Sequence, residues 1–177
     1  MRKIPTLFRR DPADPRRLLA DVHPACHWVL AGEGTATRKY DGVCVMLDDT
    51  GAWWARREVK PGNTEPPGFV TEQHDDTTGK TVGWEPVEQS PFHRHMPDTS
   101  GMTAGTYELC GPRVNGDPEG YGTHVLVAHG RAEPYPPLNH PAGHGEVAAV
   151  VATLPWEGVV WHHPDGRMAK VKRRDFP

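Results

Sequence analysis

Apolar and polar positions along this chain alternate in short runs, the period of half-buried strands, and one long stretch has helical composition. The clearest run covers residues 43–47. It is followed by the turn Asp48-Asp49-Thr50-Gly51, whose residues tolerate unusual backbone angles, and by a returning strand over 52–59. Along that strand Trp53, Ala55 and Arg57 share one face, and Trp54, Arg56 and Glu58 share the other. Further strands are expected over 27–31, 105–110, 124–129, 156–161 and 168–173, with shorter ones at 3–9 and 81–87. Residues 162–167 read as the hairpin turn between the last two long strands. A short helix is expected over 16–22 and a longer one over 145–154, weakened by its valines. Residues 61–80 are polar, rich in Pro, Gly and Thr, and read as a long loop. No internal repeat or composition shift cuts the chain. Residues 1–177 are therefore expected to form one α+β domain of antiparallel β-sheets with flanking helices.

Composition narrows this picture. A length of 177 residues is that of one domain, and 36% hydrophobic residues suit a compact soluble core. A net charge of -3 rules out a uniform basic coat. The basic residues are nevertheless clustered: Arg9, Arg10, Arg16 and Arg17; then Arg56, Arg57 and Lys60; then Lys170, Lys172, Arg173 and Arg174. These are candidates to converge into one basic groove. Three Cys without a C-x-x-C pair argue against a zinc ribbon or a disulfide framework and fit a reducing, cytoplasmic setting. The basic start lacks the apolar stretch of a signal peptide. No apolar run approaches the roughly 20 residues of a membrane helix. The eleven His read as surface or loop residues, because no cluster has matching Cys or carboxylate spacing.

Four short motifs carry candidate chemistry. Lys39-Tyr40-Asp41-Gly42 offers an amine and a flexible glycine. A free lysine is protonated, with a pKa of about 10.4, so a nucleophilic lysine needs neighbours that favour its neutral form, such as other cations or a metal ion. Tyr107-Glu108-Leu109-Cys110-Gly111 places a carboxylate in a strand, suited to accept hydrogen bonds from vicinal hydroxyls. Glu157-Gly158-Val159-Val160 sets a second carboxylate at the head of an apolar strand, where an oxygen-seeking divalent cation could use it. Lys170 and Lys172 flank Val171 and point to the same side of a strand, two cations that would neutralise a pentavalent phosphate.

In this order the motifs resemble the covalent nucleotidyltransferase superfamily: ATP-dependent RNA and DNA ligases and mRNA-capping enzymes. The chain looks most like the small RNA ligases. The resemblance spans residues 37–174 and implies a ligase-type adenylation fold. The chain ends five residues after Lys172, so no OB domain is expected. It further implies that Lys39 is the catalytic nucleophile, forming a lysyl-AMP intermediate from ATP. AMP then passes to an RNA 5′-phosphate, which is sealed to a 3′-hydroxyl. Glu157 is the implied metal ligand for Mg2+ or Mn2+. Thr37, Glu108, Lys170 and Lys172 are the implied nucleotide-binding residues. An arginine of the returning strand is implied as well: Arg57 is favoured for the nucleotide, with Arg56 and Arg173 as candidates for a substrate phosphate. The choice of ATP over GTP rests on the resemblance alone. The family's aromatic platform for adenine has no counterpart on the 124–129 strand, which leaves Val127 or His129 for that task. The alternatives are a DNA nick ligase of the same chemistry and a catalytically silent module that binds nucleotide or RNA ends.

Overall fold

The computed structural model describes residues 2–76 and 78–176. The chain is α+β, mostly antiparallel, with few helices. In order the elements are β1 (Phe8–Arg10), β2 (Leu18–Val22), α1 (His27–Leu30), β3 (Thr35–Lys39), β4 (Val43–Leu47), β5 (Trp53–Val59), β6 (Val70–Asp75), β7 (Lys80–Pro86), β8 (Gly105–Cys110), β9 (Val125–Ala128), α2 (His144–Ala152), β10 (Gly158–His162) and β11 (Met168–Lys172). The chain divides into two compact units. A terminal unit contains Ile4–Tyr40 and the segment from Ala132 onward; a middle unit contains Asp41–Arg131 and the first residues.

In the terminal unit, β10 lies between β11 and β3, antiparallel to both. Neither outer strand is left bare. Thr6 bridges Lys170 in parallel, and Thr37 bridges Pro134. One face of this sheet supplies Ala36, Val159, Trp161, Ala169 and Val171 to a core that also takes Leu7, Phe8, Trp28, Val29 and Leu138. Val147 and Val151, one turn apart on α2, complete it. The indole N–H of Trp161 donates to the Leu138 carbonyl at 2.6 Å, so the largest fully buried side chain also satisfies a buried backbone acceptor.

The middle unit is a six-stranded sheet in the order β6-β7-β5-β4-β8-β9. Val45, Leu47, Ala55, Tyr107 and Leu109 form its core with Val87 and Val114. The β4–β5 turn is held by the Asp48 carboxylate, which accepts from the Thr50 hydroxyl at 2.6 Å, the Trp54 indole at 2.8 Å and the Thr50 and Ala52 amides. Those hydrogen bonds, from the Thr50 hydroxyl first, pull its pKa down to about 2.

Three expectations are corrected. Residues 18–22 form β2, not a helix, because pairing with β1 buries the Leu18 and Val22 side chains against the core better than a free helix would. Residues 27–30 form a helix, not a strand. Pro24 starts a helical turn with its fixed φ, and the His23 ring accepts from the Ala25 amide. The segment 61–80 is not all loop: 70–75 pairs with β7 as an exposed edge strand whose polar side chains carry no apolar period. Thr77, within that segment, lies outside the described residues. Burial pushes the Cys26 thiol up to about 11. No described helix is long and apolar enough to cross a membrane.

Replacing Trp161 by Phe keeps a ring in the core but strips the buried Leu138 carbonyl of its donor, a loss of about 1–3 kcal/mol. Urea unfolding reads it directly. Val70→Thr, at a position 53% exposed on the edge strand, is expected to stay within about 0.5 kcal/mol of wild type.

Candidate active site

The three-stranded sheet of the terminal unit has one face committed to the core. By alternation its other face presents Thr37 and Lys39 from β3, Val160 and His162 from β10, and Lys170 and Lys172 from β11. The register is the decisive detail. Lys39 and Lys172 both stand opposite Gly158, one on each flanking strand. The residue between the two lysines therefore has no side chain. A Cβ on Gly158 would lie 2.1 Å from the Val171 carbonyl oxygen, so only glycine fits here. Glu157, one step before, reaches both lysines. One carboxylate oxygen accepts from the Lys39 ammonium and the other from the Lys172 ammonium. The Glu157 side chain is 10% exposed, and the lysines are 16% and 20% exposed.

Desolvation opposes the charge on Glu157, but the fields and hydrogen bonds of Lys39 and Lys172 outweigh it, and its pKa falls below the ordinary 4.5. The cluster holds more positive than negative charge and so suits a polyanion. The backbone is pinned as well. The Arg173 amide donates to the Glu157 carbonyl at 2.7 Å, and the Lys172 amide donates to the buried Asp175 carboxylate at 2.9 Å. Arg38, on the opposite face of β3 from Lys39, lies over the Tyr40 and Trp156 rings at 4.9 and 5.0 Å and braces the strand end that carries Lys39.

Thr37 is 8% exposed; its hydroxyl donates to the Val160 carbonyl at 3.2 Å and lies 3.0 Å from His162 Nε2. His162 was grouped with the loop histidines on sequence grounds. The signal available for it was strand alternation, which puts Gly158, Val160 and His162 on one side of β10.

In the middle unit, Glu108 is buried and fully engaged. One carboxylate oxygen accepts from the Gly42 amide at 3.2 Å; the other lies 2.9 Å from His129 Nε2, whose Nδ1 is 3.0 Å from the Thr106 hydroxyl. His129 thus braces Glu108, a task other than the adenine platform expected of it. Gly42 is constrained by close approach, since a Cβ there would come within 2.3 Å of the Leu109 carbonyl. Asp41 is anchored through its amide to Glu119 at 2.8 Å and through its carboxylate to Asn115 at 2.8 Å; Asn115 holds a φ of 51° to make that bond.

The register also separates the two arginines. Glu108 stands opposite Cys44 and Val127, and Arg56 stands opposite Trp84. With Val45 opposite Ala55, alternation puts Arg56 on the Glu108 face, two strands or about 10 Å away. Arg57, the favoured arginine, is on the other face, 3.9 Å from the buried Glu85. The Arg56 Nε and Nη2 are buried and have no hydrogen-bond partner. Among the described residues no group of three or more His, Cys, Asp or Glu is arranged to hold a metal ion.

No protein-family model matches the chain. Among curated proteins it is similar to RNA ligase 1 of Pongo abelii, with 27% identity over 166 residues, covering 68% of this chain and 46% of that protein. The chain spans about half the length of the curated relative it matches.

The depressed pKa of Glu157 sets the sign of a stability effect. Its contribution is fully present above the unfolded-state value near 4.5 and is lost as pH falls through the lower folded value. Unfolding free energies of wild type and Glu157→Gln, compared across pH, should differ most near neutrality and converge in acid. A gap independent of pH would mean that the carboxylate is not the ionised partner of the lysines.

Proposed function

We propose that this chain is an RNA ligase of the covalent nucleotidyltransferase type, using ATP and a magnesium or manganese ion. The observation that carries the reading is the row Lys39–Gly158–Lys172, bridged by Glu157. It joins an amine, a phosphate-binding cation and a metal-binding carboxylate on one sheet face. The similarity to a protein named RNA ligase 1 supports the same reading.

In the resting arrangement Glu157 holds Lys39 as an ammonium, which cannot attack. Triphosphate settling on Lys170 and Lys172 brings its α-phosphate to the cluster, and Lys39 must part from Glu157 before it can attack. Lys39 then loses its proton to water and attacks the α-phosphorus in line. An N–P bond forms, the bond from the α-phosphorus to its bridging oxygen breaks, and pyrophosphate leaves. Lys172 stays in place to neutralise the equatorial oxygens. The AMP passes to an RNA 5′-phosphate, and a 3′-hydroxyl displaces it. A divalent cation held by Glu157 would supply Lewis-acid polarisation of the α-phosphate when bound.

The remaining roles follow the local chemistry. Glu108, oriented by Gly42 and His129, accepts hydrogen bonds from ribose hydroxyls. Thr37 and His162 meet the base edge. Arg56, whose buried guanidinium nitrogens lack partners, takes a phosphate. Arg173 is a second phosphate candidate, and Arg57 is reassigned to support of Glu85.

Incubation with magnesium and ATP labelled at the α-phosphate should leave label on the protein, and Lys39→Ala should abolish both labelling and sealing of RNA ends. Lys172→Met should slow labelling by about 100-fold or more. Arg56→Ala should impair sealing more than Arg57→Ala. Nucleotide binding without label would point to a silent module. Label with sealing of nicked DNA alone would point to a DNA ligase.

A further inference from the structure

We propose that the arginines of the β1–β2 hairpin and of the last turn of the chain form a docking strip for the phosphate backbone of single-stranded RNA. The inference rests on the ligase reading above, because it names where that site's polynucleotide is gripped.

The strip is made by the fold. Its two halves are more than 150 residues apart in sequence, and both lie in the terminal unit. The Leu7 amide donates to the Lys170 carbonyl at 2.8 Å and the Lys170 amide to the Pro5 carbonyl at 3.0 Å, so the segment leading into β1 runs beside β11 in the same direction. Arg10 then ties the hairpin to the final turn, Arg173–Asp175. Its guanidinium donates to the Pro15 carbonyl at 2.8 Å and to the Asp175 carboxylate at 3.0 Å. The hairpin turn is closed by the Asp11 amide donating to the Arg17 carbonyl at 3.1 Å. Arg10 thereby joins the hairpin that carries Arg9, Arg16 and Arg17 to the turn that carries Arg173 and Arg174.

The charges in this region are not balanced. Asp175 offsets Arg10, and Asp14, 2.9 Å from Arg16, offsets that residue; with Asp11 and Asp21 of the same hairpin, six arginines meet four carboxylates. Arg9, Arg17, Arg173 and Arg174 are exposed, and none has a carboxylate within ion-pair distance among the described residues, although Arg173 donates through one Nη to the Leu154 carbonyl at 2.9 Å. This excess stands in a chain whose net charge is -3, so it is segregated charge and not a general basic character. All six of these cations are arginines. Solubility alone would be served by lysine, whereas the planar guanidinium fork matches phosphate oxygens.

The strip also continues from the proposed chemistry. Arg174 is two residues beyond Lys172, hence within about 7 Å of it along the chain. The same Asp175 that accepts from Arg10 accepts from the Lys172 amide. No exposed aromatic ring accompanies the strip, since Phe8 is buried and Phe176 packs against the core. The grip is electrostatic, indifferent to sequence and steeply salt-dependent.

The test uses the intact chain with Arg9→Ala, Arg17→Ala and Arg174→Ala combined, and Arg174→Glu alone as a milder change, each with a thermal melt matching wild type. Binding of a short 5′-phosphorylated single-stranded RNA is followed by fluorescence anisotropy across a salt series, beside self-labelling by ATP. For the triple variant the affinity should fall about tenfold or more, and the slope of log K against log salt should shrink by about 2, at roughly 0.7 per lost contact, while self-labelling is unchanged. RNA affinity and salt slope equal to wild type would overturn the proposal. So would a loss confined to anionic lipid vesicles, which would assign the strip to a membrane surface. Failure of wild type to self-label would instead count against the ligase reading, and the RNA series would still decide the strip.

Discussion

Two lysines share one carboxylate at a level of the sheet where the residue between them has to be glycine. Lys39 and Lys172 come from strands that flank β10 at one level, and any side chain at position 158 would collide with the Val171 carbonyl. At this level of the sheet Glu157 satisfies both ammonium groups at once. A carboxylate with a single lysine would be a simple ion pair. A carboxylate with two leaves surplus positive charge in a half-buried place, which water screens poorly, and that surplus is what a triphosphate would neutralise.

Much of the terminal unit exists to hold this row in register. A slip of one residue in β3 or β11 would turn the lysines into the core and expose Ala36 or Val171. The fully buried Trp161, Val159 and Ala169 make such a slip costly. The outer strands are held on their far sides too, by residues 5–7 along β11 and by 133–135 along β3. The Asp175 carboxylate, 5% exposed, joins the end of β11 to Arg10 and so couples the site strand to the arginine hairpin.

The middle unit obeys the same logic with different chemistry. Glu108 is held by an amide on one side and a histidine on the other, so its carboxylate has a fixed direction before any ligand arrives. Arg56 is the opposite case: among the described residues its buried Nε and Nη2 have no hydrogen-bond partner. Such a group costs free energy when left unmatched and is retained where an anion completes it.

Some of this was legible in the chain itself. The alternation over 43–47 and 52–59, the Asp48 turn, the 105–110 strand and the closing hairpin were readable because period and turn chemistry are local properties. So was the placement of Lys170 and Lys172 on one side of a strand, which needs only the two-residue repeat. The chain could not show which residues stand opposite one another. Alternation alone put Arg56 and Arg57 on opposite faces, but only the pairing of β5 with β4 and of β4 with β8 showed which of them shares a face with Glu108. Residues 18–22 read as helix until β1 paired with them, and 70–75 read as loop because an edge strand can be polar on both sides. His129 and His162 found their tasks only through neighbours more than 20 residues distant. The sequence by itself determined the kinds of groups present and their local directions. Tertiary structure decided their partners, because strand register is a long-range choice settled by which faces the buried Trp, Val and Leu side chains must occupy.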